Sequence, residues 1–136
     1  MTAKEYLSQA YRIDRRIDAK IKQVASLRNL VTKATSTLSD SAPSGSRNIH
    51  RMEDVIVKII DLENDINAEI DSLVDLKREI TSVIKAVPNL EYQTLLELRY
   101  LCFKSWEDIA DEMNYSIQHI YRIREKAFKE VVVPET

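Results

Sequence analysis

Apolar residues spaced in heptads occupy the first two thirds of this 136-residue chain, in two separate runs. Counting in sevens from Ala3, and again from Met52, reaches an apolar residue at every step for five repeats. In each run a second row of mostly apolar residues follows three positions later, as in the a and d rows of a coiled coil. The spacing therefore predicts two long helices, at about residues 3–38 and 50–87.

A serine-rich segment, SDSAPSGSRN, separates the two runs and holds the only glycine of the chain, Gly45. Because glycine, proline and serine favour turns over helix, this segment predicts a flexible loop over residues 39–49. Two helices of equal length joined by one loop are expected to fold back as an antiparallel hairpin. Charge favours that pairing, since residues 1–50 carry nine basic and four acidic side chains whereas residues 51–86 carry five and nine.

The apolar stripe of each long helix is wider than the seam of a two-helix hairpin needs. The additional apolar residues lie beside the a and d rows, at Leu7, Ile21, Ile56, Ile70 and Ile84. One interpretation is that two hairpins pack into a four-helix homodimer. The other interpretation is that these residues cover the C-terminal part of the same chain. The sequence leaves both open.

The last third of the chain predicts a separate domain of three short helices. Pro88 ends the second long helix, because a proline disfavours the helical conformation of the residue before it, and Asn89 can cap the helix that follows. Apolar periodicity and capping residues predict helices at 90–101, 105–113 and 116–131. The expected fold class is therefore all-α, with a helical hairpin domain at 1–87 followed by a three-helix domain at 88–136.

Only Asn114 and Tyr115 separate the second of these short helices from Ser116, the expected N-cap of the third. So short a link forces a tight turn and a steep crossing of the two helices. The crossing needs a small residue at the contact, a turn residue that tolerates positive φ and an apolar anchor, and Ala110, Asn114 and Ile120 supply them. This arrangement is typical of a helix-turn-helix. The small core is predicted to contain Leu95, Leu98, Leu101, Ile109, Met113, Ile123 and Ala127.

The opposite face of the third short helix carries side chains that suit the major groove of DNA. Gln118 can pair bidentately with adenine and Arg122 with guanine, so these two are the first candidates for base readout, and Tyr121 can contact bases or phosphates. The candidates for phosphate contact are His119, Arg124, Lys126 and Lys129. The sequence therefore predicts a protein that binds double-stranded DNA and reads its sequence.

Residues 90–131 resemble region 4 of the sigma-70 family, the part of bacterial sigma factors that reads the upstream promoter element. The shared features are an apolar helix with LRY, a helix with EDIA and a serine-capped helix that contains KA, in that order. The resemblance implies base contacts from Ile117, Gln118, Tyr121 and Arg122. Sigma factors often have arginine at the positions of Ile117 and Tyr121, and residues 1–86 lack the aromatic cluster of a promoter-melting region. The chain is therefore not a complete sigma factor.

The whole chain, a charged coiled-coil part followed by a part like region 4, resembles the small late-transcription regulators of the ArpU and RinA type in phages and prophages. This second resemblance implies regulation of late phage genes, with host RNA polymerase as a protein partner. A DNA-packaging adaptor is an alternative, because small terminase subunits also combine a helix-turn-helix with helical oligomerisation segments. Another alternative is a coiled-coil module whose C-terminal domain docks on protein alone.

Other classes of function are disfavoured by the sequence. His50, His119 and Cys102 have no metal-ligand spacing, and a single glycine cannot build a phosphate-binding loop. No enzyme activity, metal or cofactor is expected. A lone cysteine fits a reducing compartment, and the sequence shows neither a signal core nor an apolar run of about 18 residues. A cytoplasmic location away from the membrane is therefore expected.

Overall fold

The computed structural model describes residues 1–38 and 45–135, and describes side chains within 1–35 and 49–135. Within these residues every regular element is a helix, so the predicted all-α fold is confirmed. In chain order the helices are α1 (Ala3–Leu7), α2 (Gln9–Leu38), α3 (Gly45–Lys85), α4 (Leu90–Tyr100), α5 (Trp106–Met113) and α6 (Ile117–Glu130). The three short helices α4, α5 and α6 lie within two residues of their predicted bounds.

The first long helix is divided at Ser8, where the sequence predicts one helix from residue 3 to residue 38. The hydroxyl of Ser8 donates a hydrogen bond of 2.6 Å to the carbonyl of Lys4. The backbone N–H of Ser8 donates to the same carbonyl, at 3.0 Å. A serine side chain that competes for the carbonyl four residues earlier weakens and bends a helix, which gives a physical reason for the break between α1 and α2.

The second long helix begins at Gly45, within the segment predicted to be a loop. Residues 39–44 of the predicted loop at 39–49 lie outside the described residues, whereas the other five are helical. The apolar row of α3 already includes Ile49, one heptad before Ile56, so the hydrophobic pattern supports helix in this segment. The prediction that 45–49 belong to the loop was therefore wrong, because the apolar spacing outweighs the turn-forming composition in this segment. At its other end α3 stops at Lys85, two residues before the predicted end.

The chain divides into two compact units, and their bounds differ from those of the predicted domains. The hairpin unit comprises Arg15–Asp71. The larger unit comprises Met1–Asp14 together with Ser72–Thr136. The start of the chain and the C-terminal end of α3 thus belong with the short helices, whereas the sequence assigned them to the domain at 1–87.

The hairpin unit pairs the first part of α3 with α2 in antiparallel orientation. The carboxylate of Glu69 binds Lys20, and that of Glu63 binds Arg28. Residues later in α2 therefore pair with residues earlier in α3. The buried residues of this unit come from the predicted a rows and are Ile17, Val24, Ile59 and Ile66. The antiparallel hairpin is therefore confirmed within residues 15–35 and 49–71.

The core of the larger unit combines both long helices with the three short ones. Leu7 and Ile84 are fully buried, in one cluster with Leu95, Ile109 and Ile120. Three short helices alone would bury too little apolar surface for a stable core, and the ends of the long helices supply the missing area. The interpretation that additional apolar residues cover the C-terminal part of the chain is thus correct for two of the five.

The other three additional residues remain exposed. Ile21, Ile56 and Ile70 each leave more than two fifths of their surface accessible. The second interpretation is therefore correct for the residues in the larger unit, since the chain itself covers them. For those in the hairpin unit the four-helix homodimer stays a prediction.

The predicted core of the short helices is largely confirmed. Leu95, Ile109, Ile123 and Ala127 are buried, and Leu98, Leu101 and Met113 are partly buried against them. The sequence analysis missed Leu96 and Tyr100, which are also buried.

Candidate nucleic-acid interface

Each of the short helices begins at a side chain that caps it. Asn89 accepts hydrogen bonds from the N–H groups of Glu91 and Tyr92, which confirms the predicted cap of α4. Ser105 accepts from Asp108 at the start of α5, at 3.1 Å. A side-chain oxygen at this position satisfies an N–H group that the helix itself leaves unpaired. The capped ends fix where each helix begins, and with it which residues face the core.

The turn between α5 and α6 is built as the sequence predicts. Asn114 has a left-handed backbone, with φ 58° and ψ 42°. The N–H of Tyr115 donates to the carbonyl of Ala110 at 3.0 Å, and the N–H of Asn114 donates to that of Asp111 at 3.3 Å, which together are the two hydrogen bonds of a Schellman motif. Ser116 caps α6 two residues later by accepting from the N–H of His119, at 3.2 Å. The chain therefore reverses within two residues, and α6 packs directly on α5 and α4.

Helix α6 has one buried and one exposed face. Ile120, Ile123 and Ala127 lie in the core of the larger unit. The exposed residues on the other face are Gln118, Tyr121, Arg122, Glu125, Lys126 and Lys129. Because residues three and four apart on a helix are neighbours, these side chains form one continuous surface along α6.

The four candidates for base contact all lie in the first half of α6, but their exposure differs. Gln118, Tyr121 and Arg122 are exposed, whereas Ile117 is partly buried against the core. Within the described residues neither the Gln118 amide nor the Arg122 guanidinium has a hydrogen-bond partner in the chain. Both polar groups are therefore available to an external ligand.

The candidates for phosphate contact fall into two groups. Lys126 and Lys129 are exposed, and neither forms an ion pair within the described residues. Arg124 and His119 are partly buried and contact other side chains of the chain. The His119 and Tyr115 rings meet in a T-shaped arrangement, with 4.5 Å between ring centroids.

Arg124 belongs to a cluster of aromatic and basic side chains that sequence reasoning missed. Its guanidinium lies 4.8 Å from the centre of the Tyr121 ring and 5.4 Å from that of Trp106. Its Nε donates to the carboxylate of Glu125 at 3.1 Å. Arg99 lies over the same Trp106 ring, at 4.7 Å. Cations over aromatic faces are held by the negative charge of the ring face, so Arg124 links Tyr121 on the exposed face to Trp106.

The turn residue Tyr115 is tied to the start of α4. Its hydroxyl donates to the carboxylate of Glu91 at 2.6 Å. This hydrogen bond raises the pKa of Tyr115, because the carboxylate favours the protonated phenol. The contact fixes the link before α6 against a second helix, in addition to the backbone hydrogen bonds of the turn.

The end of α4 has two features that the sequence analysis did not foresee. Phe103 adopts a left-handed backbone with φ 59°, and its ring meets that of Tyr11 at 5.7 Å. Lys77 donates from Nζ to the carbonyl of Leu101 at 3.1 Å and lies over the Phe103 ring. A cation at the C-terminus of a helix satisfies its unpaired carbonyl groups and its dipole. Nothing in the local sequence around residues 101–104 signals a partner so far away in the chain.

The sequence from residue 30 to residue 132 matches the family described as a protein of unknown function, DUF1492. The chain belongs to the DUF1492 family. The match includes the end of α2 and all of α3, α4, α5 and α6, so it covers the helix-turn-helix and the α3 side of the hairpin. No curated protein and no solved structure matches the chain significantly.

The described residues of this DUF1492 protein offer neither a metal cluster nor a membrane-spanning helix. Among its described residues, no group of three or more His, Cys, Asp or Glu side chains is placed to hold a metal ion. No helix in that part of the chain is both long and apolar enough to span a bilayer.

Proposed function

We propose that this DUF1492 protein is a sequence-specific DNA-binding regulator of transcription, of the phage or prophage late-gene type. In this proposal α6 enters the major groove, where Gln118 and Arg122 hydrogen-bond to base edges and Tyr121 contacts bases or phosphates. Lys126 and Lys129 contribute affinity through phosphates without reading sequence. The likeness of residues 90–131 to region 4 of sigma factors supports the same assignment.

The left-handed turn at Asn114 is the observation that carries the proposal. It packs one face of α6 on α5 and leaves the opposite face free of contacts with the short helices. The two-residue link, with its Asn114 C-cap and Ser116 N-cap, holds α6 at a fixed angle to α5. Such a rigid presentation of an exposed helix is what major-groove readout requires.

The charge of α6 supports DNA as the ligand although the chain as a whole is acidic. The formal net charge is −2, yet α6 holds four basic side chains against two acidic, Glu125 and Glu130. A local basic surface attracts the phosphate backbone even when the rest of the protein is negative.

The proposal includes partners and a location. Host RNA polymerase is the proposed protein partner, since regulators of this type act on it. A second copy of the chain is proposed to pack against the hairpin as a homodimer. A cytoplasmic location follows from those partners. No catalytic activity and no cofactor are part of the proposal.

Selection of bound sequences from a random DNA pool tests the proposal directly. The wild type is compared with Arg122→Ala and with Arg78→Ala, a matched loss of one exposed arginine on α3, in about 100 mM salt. The wild type and Arg78→Ala are expected to enrich one common motif. Arg122→Ala is expected to relax one base position of that motif, with a loss of about 1–3 kcal/mol of discrimination there.

Two outcomes would contradict the proposal. Absence of any binding in low salt would indicate that the helix-turn-helix docks on protein. Binding without an enriched motif, in wild type and variants alike, would indicate a role that needs only backbone contact, such as DNA packaging.

A further inference from the structure

The hairpin unit exposes a row of isoleucines on one side of its seam. With Ile17, Ile59 and Ile66 at heptad position a, Ile21, Ile56 and Ile70 fall at e and Ile60 falls at b. The ion pair of Arg28 with Glu63 joins an e position of α2 to an e position of α3, so the e positions of both helices lie on the same side. The isoleucine face is defined by Ile21, Ile56, Ile60 and Ile70, all of them exposed.

The other side of the seam is polar. Its g positions on α3 include Lys58 and Asp65, and those on α2 include Arg16 and Gln23. Among the g positions in the described part of the hairpin unit, the exception is Leu30, which is large, apolar and exposed. Single exposed apolar residues are ordinary, whereas four isoleucines on one side of a hairpin, with the Arg28–Glu63 ion pair between them, expose more apolar surface than is usual.

The two helices that share the isoleucine face carry opposite charge. Residues 15–35 of α2 hold six basic side chains and one acidic, and residues 49–71 of α3 hold two basic and seven acidic. If a second copy placed its α3 against α3, two acidic helices would meet. If it placed its basic α2 against α3, and its α3 against α2, each contact would join opposite charges.

We propose that the isoleucine face binds the same face of a second copy of this chain, with α3 of each copy packed against α2 of its partner. A two-fold axis generates both contacts at once, because the face is then complementary to itself. The product is a four-helix bundle in which exposed isoleucines become its inner layer. This inference stands apart from the DNA-binding proposal, since it concerns residues 15–71 alone and its test contains no DNA.

Sedimentation equilibrium of the full chain tests this assembly. Leu30 and Ile60 give a matched pair of variants, because each is 51% exposed in the hairpin unit, on opposite sides of the seam. Ile60→Gln is expected to raise the dissociation constant of the dimer about tenfold or more, because the residue is lost from both copies. Leu30→Gln is expected to leave it unchanged.

Folding of the variants is measured separately by helical circular dichroism. Because Ile60 and Leu30 are exposed, both variants are expected to keep the helical content of the wild type. Ile21→Gln provides a second substitution on the isoleucine face, on the other helix, and is expected to weaken the dimer as Ile60→Gln does.

Salt distinguishes the two ways of pairing the helices. Raising salt from about 0.05 M to about 0.5 M is expected to weaken a dimer that joins acidic α3 to basic α2, because exposed opposite charges are screened. A dimer that tightens in high salt would mean that like helices meet, and would overturn the proposed arrangement.

Four results of the sedimentation experiment would overturn the isoleucine face as the interface. The first is a wild type that stays monomeric at about 0.1 mM, well above the dissociation constants of specific dimers. The second is a dimer that survives both Ile60→Gln and Ile21→Gln, and the third is a ring of many subunits. The fourth is equal weakening by Leu30→Gln, because it would place the contact on the other side of the seam.

Discussion

The Nζ atom of Lys20 lies 3.2 Å from Oε1 of Glu69, so the two polar residues that interrupt the d rows of the hairpin meet each other. Arg16 approaches the same carboxylate oxygen at 3.4 Å. A polar pair inside an otherwise apolar seam disfavours any shift of one helix along the other, because a shift would leave each charge against isoleucine or valine. The pair therefore sets the register of the hairpin.

Lys20→Leu is expected to destabilise the chain more than the double substitution Lys20→Leu with Glu69→Leu. The single change leaves a partly buried carboxylate with fewer partners, at a cost of about 1–3 kcal/mol, whereas the double change removes both charges from the seam. Urea unfolding of the two variants measures the difference. Equal destabilisation would show that the pair does not couple the helices.

Asn114→Ala is expected to lower the free energy of unfolding by about 1 kcal/mol, because an L-residue with a Cβ and no local hydrogen bond is disfavoured in the left-handed region. Asn114→Gly is the matched control and is expected to be close to neutral, since glycine adopts positive φ without that cost. The measurement is urea unfolding of the full chain. A more stable alanine variant would contradict the role of this turn.

Arg124→Met is expected to change base preference more than salt dependence. The guanidinium of Arg124 lies over the Tyr121 ring, and its loss frees that ring on the proposed recognition face. If Arg124 instead contacts a phosphate, the negative slope of log affinity against log salt becomes shallower by about 0.9, as is expected for Lys129→Met. Binding titrations at several salt concentrations, with the selected motif and a scrambled one, separate these outcomes.

Leu7→Ala and Ile84→Ala are each expected to destabilise the larger unit by about 2–5 kcal/mol, because each leaves a cavity in a fully buried site. Trp106 is the only tryptophan of the chain and lies in this unit, so its fluorescence reports the transition. Leu30→Ala is the control, because Leu30 is exposed in the hairpin unit and lies outside the isoleucine face. A fluorescence transition unaffected by Leu7→Ala would show that the short helices do not depend on the N-terminal residues.

The chain is expected to lose stability as the pH rises above 10. Burial raises the pKa of Tyr100 to about 12, and burial together with the hydrogen bond to Glu79 raises the pKa of Tyr6 as well. The unfolded chain therefore releases these protons from about pH 10 while the folded chain still holds them, so the free energy of unfolding falls with pH in that range. Thermal melts between about pH 8 and pH 11.5 measure this, and Tyr100→Phe is expected to flatten the decline.

The local part of the fold could be predicted from the sequence. Asn89, Asn114 and Ser116 act on backbone groups within a few residues of themselves, so their types and positions determine the caps and the turn. The apolar spacing likewise determines which face of each short helix is buried. Those interactions do not depend on how the rest of the chain folds.

The remaining features depend on residues that are distant in sequence. Heptad spacing places Leu7 and Ile21 in one stripe and gives no reason why one is buried and the other exposed. The difference arises because the core of the short helices reaches Leu7. The contact of Lys77 with the end of α4 and the cluster around Trp106 likewise pair residues on different helices. No local pattern marks such pairs.

Leu7 and Ile120 are buried in one core, and this has a consequence for synthesis on the ribosome. The hairpin unit can close once residues 15–71 have left the exit tunnel, because its contacts lie within that range. The larger unit joins residues more than a hundred positions apart, so its core can form only when nearly the whole chain has emerged. We therefore expect the hairpin to fold first during translation and the helix-turn-helix last, with the apolar side chains of the first two turns lacking their partners until α6 has emerged.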